Sequence, residues 1–475
     1  MMKMKYNIKT IFLSEMSVRV SLRNEKLYSE LVSKITLFIC LLVSFTLSSQ
    51  EILTKKEALE ITLKNNFGIK IANNNIAIAK NNASILNSGF LPTASLNSGA
   101  TYNRNNQSLT FTDRNTGADS EISGNGVISK NYNANLGVNY ILFDGLGRKY
   151  NYQQLKETYN LSELQARETI ENTYLQLFTI YFQIARLSEN TTNLQEALQI
   201  SKKRLQRAKY QYDYGQSTKL EYLNAQVDVN NDSITFISAK QQLSNAKRGL
   251  NVILGVDKET NYDVETQVGY NELLNLEELQ QKTIANNALL KQNEKNIAIS
   301  EFNIKVNKSN YFPTLGLNAS YGFNRTENEN LINPFGAKLI TSDGLNASLN
   351  LTWNIFDGGG SKTRIANAKI ALENQQIVLE QQKVTIKNNL KNTWENYNNQ
   401  LFILKAQEQN VGSNQNNFDR TQERFKLGQI TSVEFRQAQI NLINAKTALN
   451  NAKFDAKLIE LQLLQLSGDI LNVKF

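Results

Sequence analysis

The sequence contains no histidine, one cysteine and 3 prolines in 475 residues. Histidine is the commonest general base at neutral pH and the commonest metal ligand, so its absence argues against most hydrolytic and metal-dependent sites. Proline is the main breaker of helices, and its scarcity favours long uninterrupted helices. The mean hydropathy of −0.42 argues against a bundle of membrane-spanning helices. We therefore expect no catalytic residue, no cofactor, no bound metal and no enzymatic activity.

The charge distribution argues against a nucleic-acid partner. The formal net charge is +9, but the lysines and arginines are scattered along the chain. Proteins that bind nucleic acid usually cluster basic residues on one face or in one segment. No nucleic acid is therefore expected among the partners.

The N-terminus has the pattern of a secretory signal. An apolar run at 35–47 contains Cys40, follows Lys34 and leads into the small and polar residues 44–50. This run is too short to span a bilayer. A basic flank, a short apolar stretch and small residues are typical of a signal peptide, so residues 1–49 are interpreted as a signal peptide with an N-terminal extension. The competing interpretation is a buried core helix.

Two copies of one unit make up the rest of the chain. Segment 89–97 resembles segment 310–318, and the separation is 221 residues, as between Pro92 and Pro313. Segment 143–147 resembles 356–360 at a separation of 213, which is kept as far as Gly255 and Gly468. The separation between matching residues changes only once along the chain, from 221 to 213, inside a loop. Such periodicity indicates duplicated structural units, predicted at 50–261 and 262–475.

Each copy contains two segments in which apolar and polar residues alternate, strictly in the second copy and more weakly in the first. Such alternation predicts strands with one apolar and one polar face. About ten residues suffice for a tilted strand to cross a bilayer, although the strands of a soluble sandwich also alternate. The polar segments between the strands, 105–131 and 326–343, are expected to be solvated loops. The predicted strands are 93–104, 133–143, 314–325 and 345–356.

A long helical hairpin follows the strands in each copy. The two hairpins are predicted at about 146–254 and 359–467, with turns at Gly215 and Gly428 that we expect to be left-handed helix caps. Beyond each turn, a Ser/Thr-x-x-Glu pattern predicts a capping box at the start of the return helix, pairing Thr218 with Glu221 and Thr431 with Glu434.

The strand count predicts an oligomer if the strands cross a membrane. Four strands cannot close a barrel, and an open sheet edge in lipid leaves backbone groups without hydrogen bonds. A symmetric ring of chains solves this problem, and three chains give twelve strands. The polar strand faces would then line a lumen.

The sequence resembles the TolC family of outer-membrane efflux proteins over about residues 51–470. Each short motif is weak alone, but their order, repetition and spacing are specific. The motifs are Phe90-Leu91-Pro92 with Phe312-Pro313, Phe143-Asp144-Gly145 with Phe356-Asp357-Gly358, and Arg424-Phe425-Lys426-Leu427-Gly428 with Gln211-Tyr212-Asp213-Tyr214-Gly215.

The resemblance implies a mixed α and β membrane protein, in which each protomer has two tandem repeats of helix, strand, strand and long helical hairpin. A homotrimer would form a 12-stranded β-barrel in the outer membrane lipid of a Gram-negative bacterium, continued by an α-helical barrel in the periplasm. A periplasmic adaptor (membrane fusion protein) and an inner-membrane RND, ABC or MFS transporter would be its partners. The chain would be a passive channel for small molecules or proteins in efflux or type I secretion. The alternative is a cell-surface coiled-coil protein with a structural or adhesive role.

The resemblance also implies candidate site residues near the two glycine turns. Two positions depart from the pattern of the family's best-studied type: Ile430 replaces a basic residue and Gln437 replaces an acidic one. The candidates for the pore constriction are Glu221, Glu434, Tyr212 and Phe425. The candidates for the adaptor-docking tip are Gly215, Gly428, Arg424, Gln211, Gln216 and Gln429. The structural turns at the strands are Pro92, Pro313, Asp144, Gly145, Asp357 and Gly358.

Overall fold

The structure is a computed structural model. It describes residues 52–257, 261–271, 274–333 and 336–473, so the expected signal peptide at 1–49 lies outside the described residues. In chain order the elements are β1 (Ile52–Leu53), α1 (Lys55–Asn65), α2 (Phe67–Asn82), β2 (Thr93–Thr112), β3 (Asp119–Phe143), α3 (Gly147–Asp213), α4 (Lys219–Leu254), β4 (Asp263–Val264), α5 (Leu276–Asn286), α6 (Ala288–Ser309), β5 (Thr314–Glu329), β6 (Leu339–Thr352), α7 (Gly360–Lys426) and α8 (Ser432–Leu466).

The chain separates into two compact units. The described residues of the first are 52–54 and 261–265, where β1 pairs in parallel with β4. The second unit holds the other elements, which follow the same order twice: two short helices, two strands and a long helical hairpin.

The long helices α3 and α7 have the same length, 67 residues each. At 1.5 Å per residue such a helix extends about 100 Å. The return helices α4 and α8 have 36 and 35 residues, so each hairpin has one long and one short arm. No helix in the described ranges combines the length and apolar character needed to cross a membrane.

One polar contact is built twice and joins the short helices to the return helices. Asn66, before α2, donates from its side-chain amide to the carbonyl of Ile253 at 2.9 Å. Asn287, before α6, donates in the same way to the carbonyl of Leu466 at 3.0 Å. Both asparagines also cap the helix that follows them. The duplicated sequence therefore places the same anchor at the C-terminal end of each hairpin.

A cluster of buried aromatic side chains lies where α3 packs against α8. Phe178 and Phe182 on α3 have ring centroids 5.8 Å apart, and Phe182 stacks on Phe454 of α8 at 6.0 Å. All three rings are buried. The apolar core thus joins the first repeat to the last helix of the second.

Four strands form one antiparallel sheet in the order β2-β3-β5-β6. The register places Leu136 opposite both Leu96 and Tyr321, on the apolar face. Asn135 lies opposite Asn97 and Gly322, on the polar face. The two-residue alternation in the sequence therefore corresponds to the two faces of this sheet.

The strands differ in length from those predicted. β2 extends to Thr112 and β3 begins at Asp119, so most of the loop expected at 105–131 is strand. Its Ser, Thr, Asn and Gly residues gave a weak periodic signal, yet two strands in register can pair through their backbones whatever their side chains.

The fourth strand is shifted toward its N-terminal side. It covers 339–352 rather than the predicted 345–356, so the loop expected at 326–343 is shorter. The ladder ends at the pair Thr314 and Thr352, beside Pro313, which has no N–H to donate. The apolar alternation continues from Trp353 to Phe356 without a partner strand, which is why periodicity alone overextended this strand.

Candidate functional site: the ends of the helical hairpins

The turns at the ends of the two hairpins have the same backbone geometry. Gly215 and Gly428 have φ of 70° and 74°, the left-handed caps that the sequence predicts. The N–H of Gln216 donates to the carbonyl of Gln211 at 2.7 Å, and that of Gln429 donates to Arg424 at 2.9 Å. These bonds form a Schellman motif, which satisfies carbonyls at the end of a helix.

Each return helix begins with a threonine cap, but only one of the two capping boxes is complete. Thr431 accepts from the Glu434 N–H at 3.2 Å, and the Glu434 carboxylate accepts from the Thr431 N–H at 2.8 Å. Thr218 accepts from the Glu221 N–H at 3.3 Å, but the Glu221 carboxylate accepts from the Ser217 hydroxyl instead. The predicted box is thus confirmed at the second turn and half formed at the first.

The complete box changes the acidity of its carboxylate. The hydrogen bonds from Thr431, first from its backbone N–H and then from its hydroxyl, lower the pKa of the exposed Glu434 carboxyl. The positive charge of Arg424 acts in the same direction. Glu434 therefore keeps its negative charge to lower pH than an ordinary glutamate.

Two candidate aromatic residues make equivalent contacts in the two repeats. Tyr212 stacks on Tyr222 with ring centroids 6.1 Å apart, and Phe425 stacks on Phe435 at 4.8 Å. Each stack bridges the outgoing and the return helix just inside the turn. Phe425 also lies under the guanidinium of Arg207, which is 5.0 Å from the ring centroid. The aromatic pairs therefore hold the turns together, and Arg207 links the second hairpin to the first.

The two departures from the family pattern have different surroundings. Ile430 packs on an apolar cluster that contains Phe418, Phe435 and Leu442, so its side chain belongs to the interior of the hairpin. Gln437 is exposed and donates to Asn441 at 2.8 Å. The remaining tip candidates Arg424, Gln216 and Gln429 are exposed, and Gln211 is half-buried.

A network of four charged side chains, here called the charge clasp, lies behind the turns. It consists of Arg204 on α3, Asp228 and Asp232 on α4, and Arg436 on α8. Arg436 binds Asp232 through two parallel hydrogen bonds of 2.6 and 2.8 Å, and its Nε lies 3.6 Å from Asp228. Arg204 pairs with Asp228. The clasp thus connects both helices of the first hairpin to the return helix of the second.

Neutral polar groups complete the network. The Ser201 hydroxyl donates to Asp232 at 2.5 Å, and the Gln439 amide donates to the Ala197 carbonyl at 2.9 Å. The side chain of Arg204 is only 2% exposed and that of Asp232 only 13%. Because buried ion pairs need this kind of additional hydrogen bonding, removal of one partner leaves an uncompensated charge.

The sequence analysis did not find the clasp. Its members have uncharged counterparts 213 residues away: Asn417 for Arg204, Asn441 for Asp228, Ala445 for Asp232 and Leu223 for Arg436. Comparison of the two copies for charges present in only one of them would have identified all four positions.

The other candidates lie at the far end of the long helices, beside the sheet. The Asp144 carboxylate accepts from the Arg148 N–H at 2.8 Å, and that of Asp357 accepts from the Ser361 N–H at 2.6 Å. Gly145 and Gly358, the residues after these aspartates, both have positive φ. Pro92 and Pro313 directly precede β2 and β5. These residues form the junctions between strands and helices, far along the chain from the hairpin turns.

In the ranges that the structure describes, no three His, Cys, Asp or Glu side chains are grouped so that they could hold a metal ion.

Comparison with known proteins identifies the family. The model of the family described as outer membrane efflux protein matches residues 58–256 and 279–469. The chain is 22% identical over 311 residues to outer membrane protein TolC of Vibrio cholerae, covering 65% of this chain and 70% of that protein. It is 20% identical over 441 residues to outer membrane efflux protein BepC of Brucella suis, covering 90% of each.

A solved structure shares the fold. The Campylobacter jejuni CmeC outer membrane channel superimposes with a TM-score of 0.71 at 17% identity, over 88% of this chain and 86% of that chain. The family match and the four-stranded sheet together favour a channel over a cell-surface coiled-coil protein. The chain therefore belongs to the outer membrane efflux protein family: it is an outer-membrane efflux channel, a trimer with a β-barrel and a periplasmic helical tunnel that works with a periplasmic adaptor and an inner-membrane pump.

Proposed function

We propose that the ends of the helical hairpins form the constriction of the channel and that the charge clasp holds this end closed. The observation that carries the proposal is the clasp itself, a charge network in which Arg204 is buried and the other three side chains are half-buried. It joins the second hairpin to the first just behind the turns. Widening a tunnel at this level requires the hairpins to separate, and separation would expose or unpair these charges.

The exposed carboxylates supply the electrostatics of the constriction. Glu221 and Glu434 lie at the starts of the two return helices, one in each repeat. In a trimer each residue occurs three times around the axis, so the tip carries up to six negative charges. Such rings of acidic side chains favour cations in a narrow pore. The hydrogen bonds that fix Glu434 at its turn also fix where this charge lies.

The exposed surface around the turns is proposed as the docking site of the adaptor. Gly215 and Gly428 shape this surface, and Gln216, Gln429 and Arg424 are exposed on it. We further propose that the chain catalyses no reaction, so that the pump supplies the energy and this protein only opens and closes.

Block by a multivalent cation tests the constriction. Replacing both Glu221 and Glu434 by Gln keeps the shape of the side chains but removes the carboxylates. We expect the concentration of hexamminecobalt(III) that halves the conductance in a planar bilayer to rise about tenfold, because a trivalent cation loses its nearest opposite charges. The matched control replaces Glu196 and Glu373, two exposed glutamates on α3 and α7 away from the turns. Unchanged block in the first variant would show that the two carboxylates do not face a narrow pore.

A further inference from the structure

The β2–β3 hairpin extends beyond the rest of the sheet. The β3–β5 ladder ends at the pair Ile128 and Glu329, whereas β2 and β3 continue to pair as far as Thr112 and Asp119. We call the two-stranded extension, residues 107–112 and 119–124, the outer ribbon. It lies at the end of the sheet opposite the helices, so in the trimeric channel it stands at the outward mouth of the barrel.

A β-bulge separates the outer ribbon from the barrel sheet. The register shifts between Asn105 and Gln107, where β3 has one residue more than β2. Gly126 has a φ of 72°, and its N–H donates to the side chain of Asn106 at 2.8 Å. A glycine in this conformation is the usual residue of a bulge, and a bulge bends and twists the strands that carry it. The direction of the outer ribbon is therefore set by the chain itself.

Below the bulge, the two faces of the sheet are those of a membrane barrel. The apolar face carries Leu96, Leu136 and Tyr321 and would contact lipid. The same face becomes charged toward the bulge, where Lys130 pairs with Glu329 at 2.7 Å. This change marks the end of the hydrocarbon region. The opposite face carries Asn, Ser and Gly residues and would line the lumen.

Above the bulge, the polarity of the two faces is inverted. Leu109 lies directly opposite Ile122, and Phe111 follows two residues later on the same face. This face continues the lumen side of the sheet. Gly124 lies on it, and a Cβ added to Gly124 would meet Ile332 and Val127. The outward face of the outer ribbon is polar, and a hydrogen bond joins Ser108 to Glu121 there. The apolar side chains thus point toward the axis at a level where the outer surface is in water.

The apolar residues of the outer ribbon are not covered within one protomer. Leu109 is 39% exposed, Phe111 is 48% exposed and Ile122 is 43% exposed. Just below them the inner face is covered, since Ile332 packs at Gly124, and the Asn330 amide donates to the Gly126 carbonyl at 3.3 Å. Exposed apolar side chains grouped on one face indicate a contact surface. In the trimer, three copies of this face surround one mouth. Each outer ribbon is continuous with the barrel sheet that the protomers share.

We propose that the three outer ribbons of the trimer pack against one another through Leu109, Phe111 and Ile122 and close the outward mouth with an apolar constriction. The occupant of each apolar face is a second copy of this chain. A constriction of this kind opposes hydrated ions and polar solutes because water leaves narrow apolar passages. The proposal rests on the trimeric channel and not on the constriction proposed at the helical tip.

Cysteine cross-linking tests the contact directly. The chain has one native cysteine, so a Cys40→Ser background leaves only an introduced thiol. Leu109→Cys and Phe111→Cys place thiols on the inner face, and the matched controls Ser108→Cys and Thr110→Cys place them on the outer face of the same strand. With a short homobifunctional maleimide on intact cells, we expect covalent dimers from both inner-face variants and none from the controls. Inner-face variants that cross-link no better than the controls would overturn the proposal.

Access to the lumen from outside supplies a second readout that does not depend on the helical tip. A reporter thiol is introduced by Asn133→Cys, on the lumen face of β3. Replacing Leu109, Phe111 and Ile122 together by Asn should increase the rate at which a bulky external thiol reagent modifies the reporter by about tenfold. Replacing Ser108, Thr110 and Ser123 by Asn on the outer face should leave the rate unchanged. Equal rates in the two triple variants would overturn the closure of the mouth, whatever the state of the tip.

Discussion

The two repeats share one backbone plan but differ in the charges that hold their hairpins. Both hairpins have a 67-residue helix, a Schellman turn at glycine, a threonine cap and an aromatic stack at positions 213 residues apart. Only the first hairpin carries the acidic clasp residues, Asp228 and Asp232; the second hairpin has Asn441 and Ala445 in their place. The duplicated sequence therefore gives both hairpins the same backbone, and charges present in only one repeat determine which helices are joined by ion pairs.

The difference has a geometric consequence in a ring of six hairpins. Within one protomer, α8 meets α3 and α4 through the charge clasp. From the duplication we infer an equivalent seam between neighbouring protomers, which would join α4 of one chain to α7 and α8 of another. Its four equivalent positions are uncharged: Leu223, Asn417, Asn441 and Ala445. Contacts with and without the charge clasp would then alternate around the tunnel.

Removal of the clasp arginine should have the largest effect. Arg436→Leu gives the second repeat the residue that the first repeat has at Leu223, and it leaves Asp228 and Asp232 without their shared partner. Leaving a buried charge uncompensated costs on the order of 3 kcal/mol. We expect the detergent-solubilised trimer to lose its helical circular dichroism at a clearly lower temperature than the wild type. Asn441→Ala, at the uncharged counterpart of Asp228, is the control and should change this temperature little.

Gly468 and Gly428, which follow the last residues of α8 and α7, should respond differently to replacement by alanine. Gly468 has a φ of 73°, and an added Cβ would lie 2.7 Å from the Asn286 carbonyl oxygen. Gly428 has a φ of 74° with open space around it. The left-handed backbone alone costs roughly 1–2 kcal/mol for a residue with a Cβ, and crowding adds to this cost at 468. The thermal unfolding temperature of Gly468→Ala should therefore be lower than that of Gly428→Ala. The reverse order would contradict the close approach of Gly468 to the Asn286 carbonyl.

The capping residues should give the smallest difference. Thr431→Ala removes two hydrogen bonds of the threonine hydroxyl, one with the Glu434 N–H and one with the Glu434 carboxylate, whereas Thr218→Ala removes one hydrogen bond from the first turn. A lost threonine cap costs about 1 kcal/mol. Hydrogen exchange at the first turn of α8 should accelerate more in Thr431→Ala than exchange at the first turn of α4 does in Thr218→Ala.

The pH dependence of the second cap follows from the lowered pKa of Glu434. A carboxyl whose pKa is lower in the folded state stabilises that state above its unfolded pKa, and the contribution is lost as pH falls through the folded value. The start of α8 should thus stay protected from exchange below the pH at which an ordinary glutamate is half protonated. A Glu434→Gln variant should lack this acid-side dependence.

Much of the fold follows from local sequence signals, because its elements are long and duplicated. The 70-residue spacing of Gly145 and Gly215 recurs between Gly358 and Gly428, and both glycine turns adopt the expected left-handed geometry. The strand ends were harder to predict. Residues 105–112 pair through their backbones with little periodic contrast, and Trp353 continues an apolar pattern after its partner strand has ended.

The candidate site was only partly predictable for a physical reason. Turn and cap positions such as Gly428 and Thr431 depend on neighbours three or four residues away, so a sequence motif contains them. The clasp pairs Arg436 with Asp232, which is 204 residues distant. A contact between helices of different repeats leaves no local pattern. The box at Thr218 is only half formed for a different, local reason: the neighbouring Ser217 hydroxyl donates to the Glu221 carboxylate.

Single-channel conductance of a charge-swapped clasp tests the central proposal most directly. Arg436→Asp places a third carboxylate beside Asp228 and Asp232, and adding Asp232→Arg restores an opposite pair. We expect a higher conductance for the single variant and a return to the wild-type value for the double variant. If all three proteins conduct equally while remaining trimeric, the clasp does not hold the helical end of the channel closed.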